Sequence, residues 1–463
     1  MLLSYVVVLV VGIILQYREA LVREWRVLLD RTEFQKFTTL VAACTGLLLS
    51  VAARAMIDGY VYSTQPVAPG AQVHDYVMLI DGNSHSWVAS DLALLLSVVQ
   101  SLLVGLVVLA LRAYRYKRRS TTLVIVTFIA MIAIALADHT LKSSDVYAYV
   151  GFIKLGLAAY HPLNRELTGD YHLIHVMWGF PLLPCPYGPL WLGITTLVTS
   201  FATDVSSTIF SLRAFNAVLM ALGSVLIARA SGKIYVAAAF ALNPALIEEF
   251  VIDGHNDILG VVTLLLAICV VRTPVLRAAC IVAAGCIKLP FLIVGIISVV
   301  PGATPLRRVL ACVAIALSAL GISIAWAGPT YLGAIAHQSD MHSATNQLLN
   351  NTHVACNVVL GLSFLRVIWL GRVAAGTAAV AMSMGVLPFP WYLAWGIPIA
   401  DRAGALVPFL IALPFCVGLL SGFTYAWTAF RDFAALAFSL LTVIVTIRAC
   451  LRGRSKATIP TPQ

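Results

Sequence analysis

The stretch TTLVIVTFIAMIAIALA (residues 121–137) runs directly into DHTLKSSDVYAY (residues 138–149). Seventeen apolar or hydroxylated residues end abruptly at Asp138, His139 and Asp145, with Tyr147 and Tyr149 beside the last acid. The first part has the length and character of a membrane-crossing helix. The second puts ionisable and aromatic groups just past its end. Ser143–Ser144–Asp145 also suits a helix start, where acids meet unpaired N–H groups.

The rest of the chain repeats this contrast. Of 463 residues, 60% are hydrophobic and 11% are charged; the mean hydropathy is +0.94. Soluble domains carry about 25% charged residues. The expected fold class is therefore an all-α polytopic membrane protein of about 12–14 transmembrane segments, at roughly 20 residues per span. The formal charge of +10 is no signal for nucleic acid, because the basic residues sit in short loops between apolar runs. Nine scattered cysteines with no C-x-x-C pair read as small buried hydrophobes. Residues 2–16 read as an uncleaved first span.

Basic loops set the expected orientation. Arg18, Arg23, Arg26, Arg31 and Lys36 mark one cytoplasmic loop, and Arg112, Arg115, Lys117, Arg118 and Arg119 mark another. Residues 55–111 hold no Lys or Arg, so the loop 58–88 is expected outside. Residues 121–137 then cross outward, placing Asp138, His139 and Asp145 on the extracytoplasmic side. In the loop 138–186, residues 145–159 have the spacing of an interfacial helix. Residues 171–183 suggest a second one.

Further along, Pro184–Cys185–Pro186–Tyr187–Gly188–Pro189–Leu190 opens the next apolar run. Asn243–Pro244 breaks a later one, and Glu248, Glu249, Asp253, His255 and Asp257 follow within ten positions. Acids inside an apolar run must face a cavity or a partner. Lys288 precedes Leu289–Pro290, so its run is also broken. Interrupted helices at membrane depth are tolerated where they line a cavity or are buried in protein. The favoured arrangement has short or re-entrant segments between 188 and 300 that carry His255 and Lys288 to the face of Asp145. A plain hairpin would leave His255 on the other side. The loop 327–352 is expected on the outer face too. Pro388–Phe389–Pro390–Trp391–Tyr392–Leu393 gives a rigid aromatic start to a late span, read either as a belt anchor or as a stacking surface for a sugar. Residues 354–370, 373–388, 403–421 and 433–447 are further apolar runs, and the tail from Arg448 to Lys456 is expected in the cytoplasm.

In order, Asp-Val-Tyr-x-Tyr, Pro-x-Pro-Tyr-Gly-Pro-Leu, Asn-Pro…Gly-His-Asn-Asp, Lys-x-Pro and Pro-Trp-Tyr-Leu resemble the GT-C membrane glycosyltransferases. The resemblance spans roughly residues 120–400. It is strongest to the bacterial polyprenol-phosphomannose-dependent α-1,6-mannosyltransferases of lipoglycan assembly. It implies an inverting transfer of a sugar, with mannose favoured, from a polyprenyl-phosphate donor to a glycolipid or polysaccharide acceptor. It implies Asp145 as catalytic base. Tyr147, Tyr149, Tyr187, His255, Asn256, Asp257, Lys288, Trp391 and Tyr392 are the candidate substrate-binding residues. No cofactor and no metal ligand set is expected, and the partners are donor, acceptor and membrane lipid. The location implied is a bacterial plasma membrane with an extracytoplasmic active site. The organisation expected is N-terminal helices over 1–119, a catalytic module over 120–402 and C-terminal helices with a basic tail over 403–463. His161, His172 and His175 depart from the family's pattern in the first loop. The competing function is a secondary transporter, which would also use broken helices and intramembrane carboxylates; the sequence shows no inverted repeat to support it.

Overall fold

A computed structural model describes residues 32–63, 77–78, 86–114, 117–141, 143, 145–161, 166–178, 182–299, 304–343, 390–402 and 406–426. The first span at 2–16, most of the basic loop 17–36, the runs 354–370, 373–388 and 433–447, and the tail lie outside the described residues. The described chain is almost wholly helical. Helices α1 (Glu33–Ser63), α2 (Ser86–Ala113) and α3 (Lys117–Ala137) come first. A short parallel pairing of Val77–Met78 with Thr140–Leu141 ties the loop before α2 to the loop after α3. Then follow α4 (Asp145–Leu155), a 3₁₀ turn (Gly156–Tyr160), α5 (His172–Met177), α6 (Pro189–Val198) and α7 (Val205–Ser231). The surface helix expected over 145–159 is thus present as α4 and its 3₁₀ extension. The one expected over 171–183 is the shorter α5.

Five described helices are long and apolar enough to cross a membrane, and a sixth span is formed if the bent pair α8 (Ile234–Ala241) and Pro244–Ile252 counts as one. The outward faces of α2, α3, α7 and α13 (Pro305–Ala327) carry exposed Leu102, Ile129, Val225 and Leu317. Such surfaces belong in lipid, where backbone groups are satisfied within each helix.

Local chemistry explains where these helices start and stop. Asp204 accepts from Ser207 N at 2.7 Å, and Ser207 Oγ accepts from Asp204 N at 3.2 Å. This reciprocal cap opens α7, and Gly232 at φ 62° closes it. Thr273–Pro274 opens α11 (Pro274–Ile287) and Thr304–Pro305 opens α13, each with a hydroxyl cap and proline in the first turn.

The breaks matter more for function. Asn243 donates to Leu410 O at 2.8 Å, tying the break before Pro244 to α16 (Leu406–Ala426). The pair α8 and Pro244–Ile252 bends by 46° there. The short α9 (Pro244–Ile247) then widens into a π turn over Glu248–Ile252. After Gly254 (φ 73°) the chain resumes as α10 (Asp257–Cys269). α11 stops at Lys288, which is extended (φ −155°, ψ 123°). Pro290 disfavours helical backbone before it, and α12 (Phe291–Val299) restarts beyond the break. α14 (Thr330–Ser343) and α15 (Gly396–Arg402), the latter preceded by a 3₁₀ turn over Pro390–Trp395, complete the described elements with α16.

Gly188 joins two of these breaks. Its N–H donates to Ile287 O at 2.8 Å. A Cβ at this position would lie 2.0 Å from Cys286 O, so only glycine lets the start of α6 reach the end of α11. Gly188→Ala is expected to lower stability by about 1–3 kcal/mol through overpacking against backbone. Gly321→Ala, where a Cβ meets nothing within 4 Å, is the matched control. Thermal unfolding in detergent checks both; equal midpoints would contradict the close approach.

Candidate active site

The breaks converge. Lys288 Nζ donates to Asp257 Oδ1 at 2.9 Å, and Trp395 Nε1 donates to the same oxygen at 2.8 Å. The hydroxyl of Tyr392 lies 3.4 Å from the ammonium. Lys288 Nζ stands 5.1, 4.5 and 5.0 Å from the ring centres of Tyr187, Tyr392 and Trp395. The side chains of the ion pair are 7% and 0% exposed. A buried ammonium is tolerated with a carboxylate at hydrogen-bond distance and aromatic faces around it.

A second group adjoins it. Asp145, at the first position of α4, has Oδ2 3.6 Å from His255 Nδ1, while His255 Nε2 is 3.7 Å from Glu249 Oε2. Tyr149, one turn along α4, brings its hydroxyl to 3.5 Å from Asp145 Oδ2. Tyr187 and Tyr149 place their hydroxyls 3.4 Å apart. Their rings meet edge to face at 5.3 Å, and Trp191 packs on both. The aromatic chain therefore links the Asp145 group to the Lys288 group. Burial pushes the Asp145 carboxyl up to about 6, against the pull of the nearby Lys288 cation. The side chain keeps 20% exposure, so water reaches it.

Of the residues singled out from sequence, Asp145, Tyr149, Tyr187, His255, Asp257, Lys288 and Tyr392 come together here. Asn256 is buried between His255 and Asp257 and lines a small cavity with Tyr149, Trp191 and Asn216. Tyr147 is buried as well, but two residues along a helix it points about 200° away from Asp145, off the face shared by Asp145 and Tyr149. The Trp391 side chain lies outside the described residues. Trp395, one turn later, is the tryptophan that reaches the site. It was open to sequence reading as the i+4 neighbour of Trp391.

The short segments expected to bring His255 to the face of Asp145 have a counterpart in the geometry: α6 spans only Pro189–Val198, and His255 Nδ1 lies 3.6 Å from Asp145 Oδ2. The stretch expected as the loop 327–352 is helical as α14 over Thr330–Ser343, and its Tyr331 packs edge to face on Tyr160 at 5.7 Å. The histidines of the first loop stay apart from the cluster: His175 Nε2 accepts from Leu167 N at 2.7 Å, and His172 lies 3.8 Å from Glu166. Glu249, Asp253 and His255 each bring one ligand atom within 4.8 Å of the others, a donor set chemically suited to a divalent cation.

A carboxyl titrating near neutrality, beside an imidazole and a caged ammonium, suits proton transfer next to an anion. Comparison with known proteins supplies the class. The sequence profile described as "Alpha-(1->6)-mannopyranosyltransferase, N-terminal domain" matches residues 1–303. The chain belongs to this family. No curated protein and no solved structure matches it. The match takes in residues 1–119, which carried little of the resemblance read from motifs. It also decides between the two functional classes left open by sequence: an alpha-(1->6)-mannopyranosyltransferase family member is a glycosyltransferase, which transfers a sugar between a donor and an acceptor.

The ion pair is buried, so breaking it by removing one partner is costly. Asp257→Asn leaves Lys288 buried without its counter-charge and is expected to cost about 3–5 kcal/mol. The double variant Asp257→Asn, Lys288→Met should regain most of that loss in thermal unfolding. A single variant as stable as the parent would contradict the buried pair.

Proposed function

We propose that this glycosyltransferase moves mannose from a polyprenyl-phosphate donor to a glycolipid or polysaccharide acceptor, with inversion at the anomeric carbon and on the extracytoplasmic face of a bacterial plasma membrane. The observation that carries this reading is the adjacency of a raised carboxyl, Asp145, to the caged Lys288 cation, at the meeting point of broken apolar helices. The charged groups are set among the rings of Tyr187, Tyr392 and Trp395 and the apolar faces of broken helices, surroundings that suit a lipid-borne donor better than a water-soluble nucleotide.

The proposed step is a single displacement. The acceptor hydroxyl forms the new C–O bond at the anomeric carbon as the bond to the phosphate oxygen breaks. Asp145 takes the hydroxyl proton, because a sugar hydroxyl is far too weakly acidic to ionise at pH 7. The electron pair leaves on the lipid phosphate, which needs no general acid. Lys288 stabilises that phosphate, and its pairing with Asp257 holds the ammonium charged and oriented. Tyr187, Tyr392 and Trp395 cage the ammonium and aim it. His255 stands against the base and orients it. Asn256 and Tyr149 offer polar groups to sugar hydroxyls. Orientation toward the outside follows the basic loops around residues 17–36 and 112–119.

No step here uses a metal. Chelation with EDTA is expected to leave the rate unchanged. A chelator-sensitive rate restored by Mg²⁺ or Mn²⁺ would instead bring Glu249, Asp253 and His255 into the reaction as ligands.

Asp145→Asn is expected to lower transfer from labelled polyprenyl-phosphate mannose by about 10²–10⁴. In the parent the base works as carboxylate, so the rate should fall as pH drops through about 6. Lys288 holds that value down, so Lys288→Met should move the acidic limb to higher pH. An Asn variant keeping more than about a tenth of parental turnover is incompatible with a general base at this position.

A further inference from the structure

Two polar residues on the apolar helix α7, Arg213 and Asn216, were not singled out by sequence reading, and their printed hydrogen bonds run to backbone carbonyls. Arg213 is 0% exposed in mid-helix. Its Nε donates to Val251 O at 2.6 Å, and its second terminal nitrogen donates to Ala135 O near the end of α3. Asn216, three residues on and so on the same face, donates from Nδ2 to Phe250 O at 2.8 Å and to His255 O at 3.0 Å.

The carbonyls they take are those released by the break. In the π turn, Asp253 N donates to Glu248 O at 2.9 Å and His255 N donates to Glu249 O at 3.1 Å. The regular i to i−4 pairing, which would have used Phe250 O and Val251 O, is replaced. Buried carbonyls left without donors are costly, so without α7 this backbone would relax toward ordinary helix. Relaxation would rotate Glu249 and His255 away from Asp145.

The same contact also fixes α4. Gly254 sits at φ 73°, and a Cβ there would lie 3.1 Å from Val146 Cγ2 and 3.6 Å from Arg213 Cγ. The stem of Arg213, the bare face of Gly254 and the residue following Asp145 are thus stacked. Through Ala135 O, the guanidinium further grips the end of the span that leads to Asp145.

We infer that Arg213 and Asn216 are positioning residues that hold the π turn against α4 and so set the separation between His255 and Asp145. This rests on the assignment of Asp145 as base in sugar transfer. An unpaired backbone carbonyl does not choose its donor by charge, but a guanidinium serves two carbonyls on separate segments at once, which a lysine cannot do in the same geometry.

The test measures steady-state transfer of labelled mannose for Arg213→Met, Arg213→Lys and Asn216→Leu, with hydrogen exchange of peptides covering 248–256 as an independent readout. For Arg213→Met and Asn216→Leu, kcat per folded enzyme is expected to drop by about tenfold or more, with donor and acceptor KM within about threefold. Arg213→Lys should recover part of the loss. Exchange should rise in the 248–256 peptides. Parental kcat, or a kcat that falls only with the folded fraction, would overturn the inference. Should Arg213→Met fail to fold, Arg213→Lys and Asn216→Ser carry the same comparison. If the parent itself transfers no mannose, the assigned reaction fails, and unchanged exchange in 248–256 is then the result that overturns the clamp.

Discussion

The ion pair between Lys288 and Asp257 holds this architecture together at its functional centre. Both groups stand at helix breaks, where the backbone turns inward instead of continuing through the bundle. A lone ammonium or carboxylate in such surroundings would be prohibitive. Together, with the Trp395 N–H on the same carboxylate oxygen and three aromatic rings around the cation, they are held in a buried pocket. The pair then dictates its neighbours. Gly188 must be glycine for Tyr187 to reach the cation, and the 3₁₀ turn of Pro390–Trp395 must deliver Tyr392 and Trp395 from the far end of the sequence.

The second group, Asp145 with His255 and Glu249, depends on a different constraint. Its backbone is a π turn whose surplus carbonyls are taken by a neighbouring helix. Apolar helices thus do two jobs. Their outward faces suit lipid, while a few inward polar side chains satisfy the irregular backbone that no water reaches. Family membership gives the class of reaction; carrying it out is the role proposed for these two groups.

Much of this was legible in the sequence. The helix ends announced themselves through Asp145, Asn243–Pro244 and Lys288–Leu289–Pro290, because prolines and acids in apolar runs have few structural solutions. The five ordered motifs pointed to a glycosyltransferase, the class that the family match shows, and the short-segment topology that brings His255 to Asp145 followed from the cost of leaving Glu248 and Glu249 in lipid. The pairing of Lys288 with Asp257 was hidden, since 31 residues separate them and neither motif names its partner. Trp391 stood out for its neighbouring prolines, whereas Trp395, which reaches the pocket, is marked only by helical spacing. Arg213 was passed over in a run otherwise typical of a span, although a lone arginine there is itself a signal. The π turn could not be read locally, because it exists by virtue of acceptors and donors on another helix.

The central claim is that Asp145 serves the bond being formed and Lys288 the bond being broken at one anomeric carbon. Electron cryo-microscopy of the protein with a non-hydrolysable polyprenyl-phosphonate analogue of the donor tests it most directly. The account predicts the phosphonate oxygens within hydrogen-bond distance of Lys288 Nζ, and the anomeric carbon facing Asp145 with room for one acceptor hydroxyl between them. A phosphonate bound away from Lys288, or an anomeric carbon turned from Asp145, would contradict it.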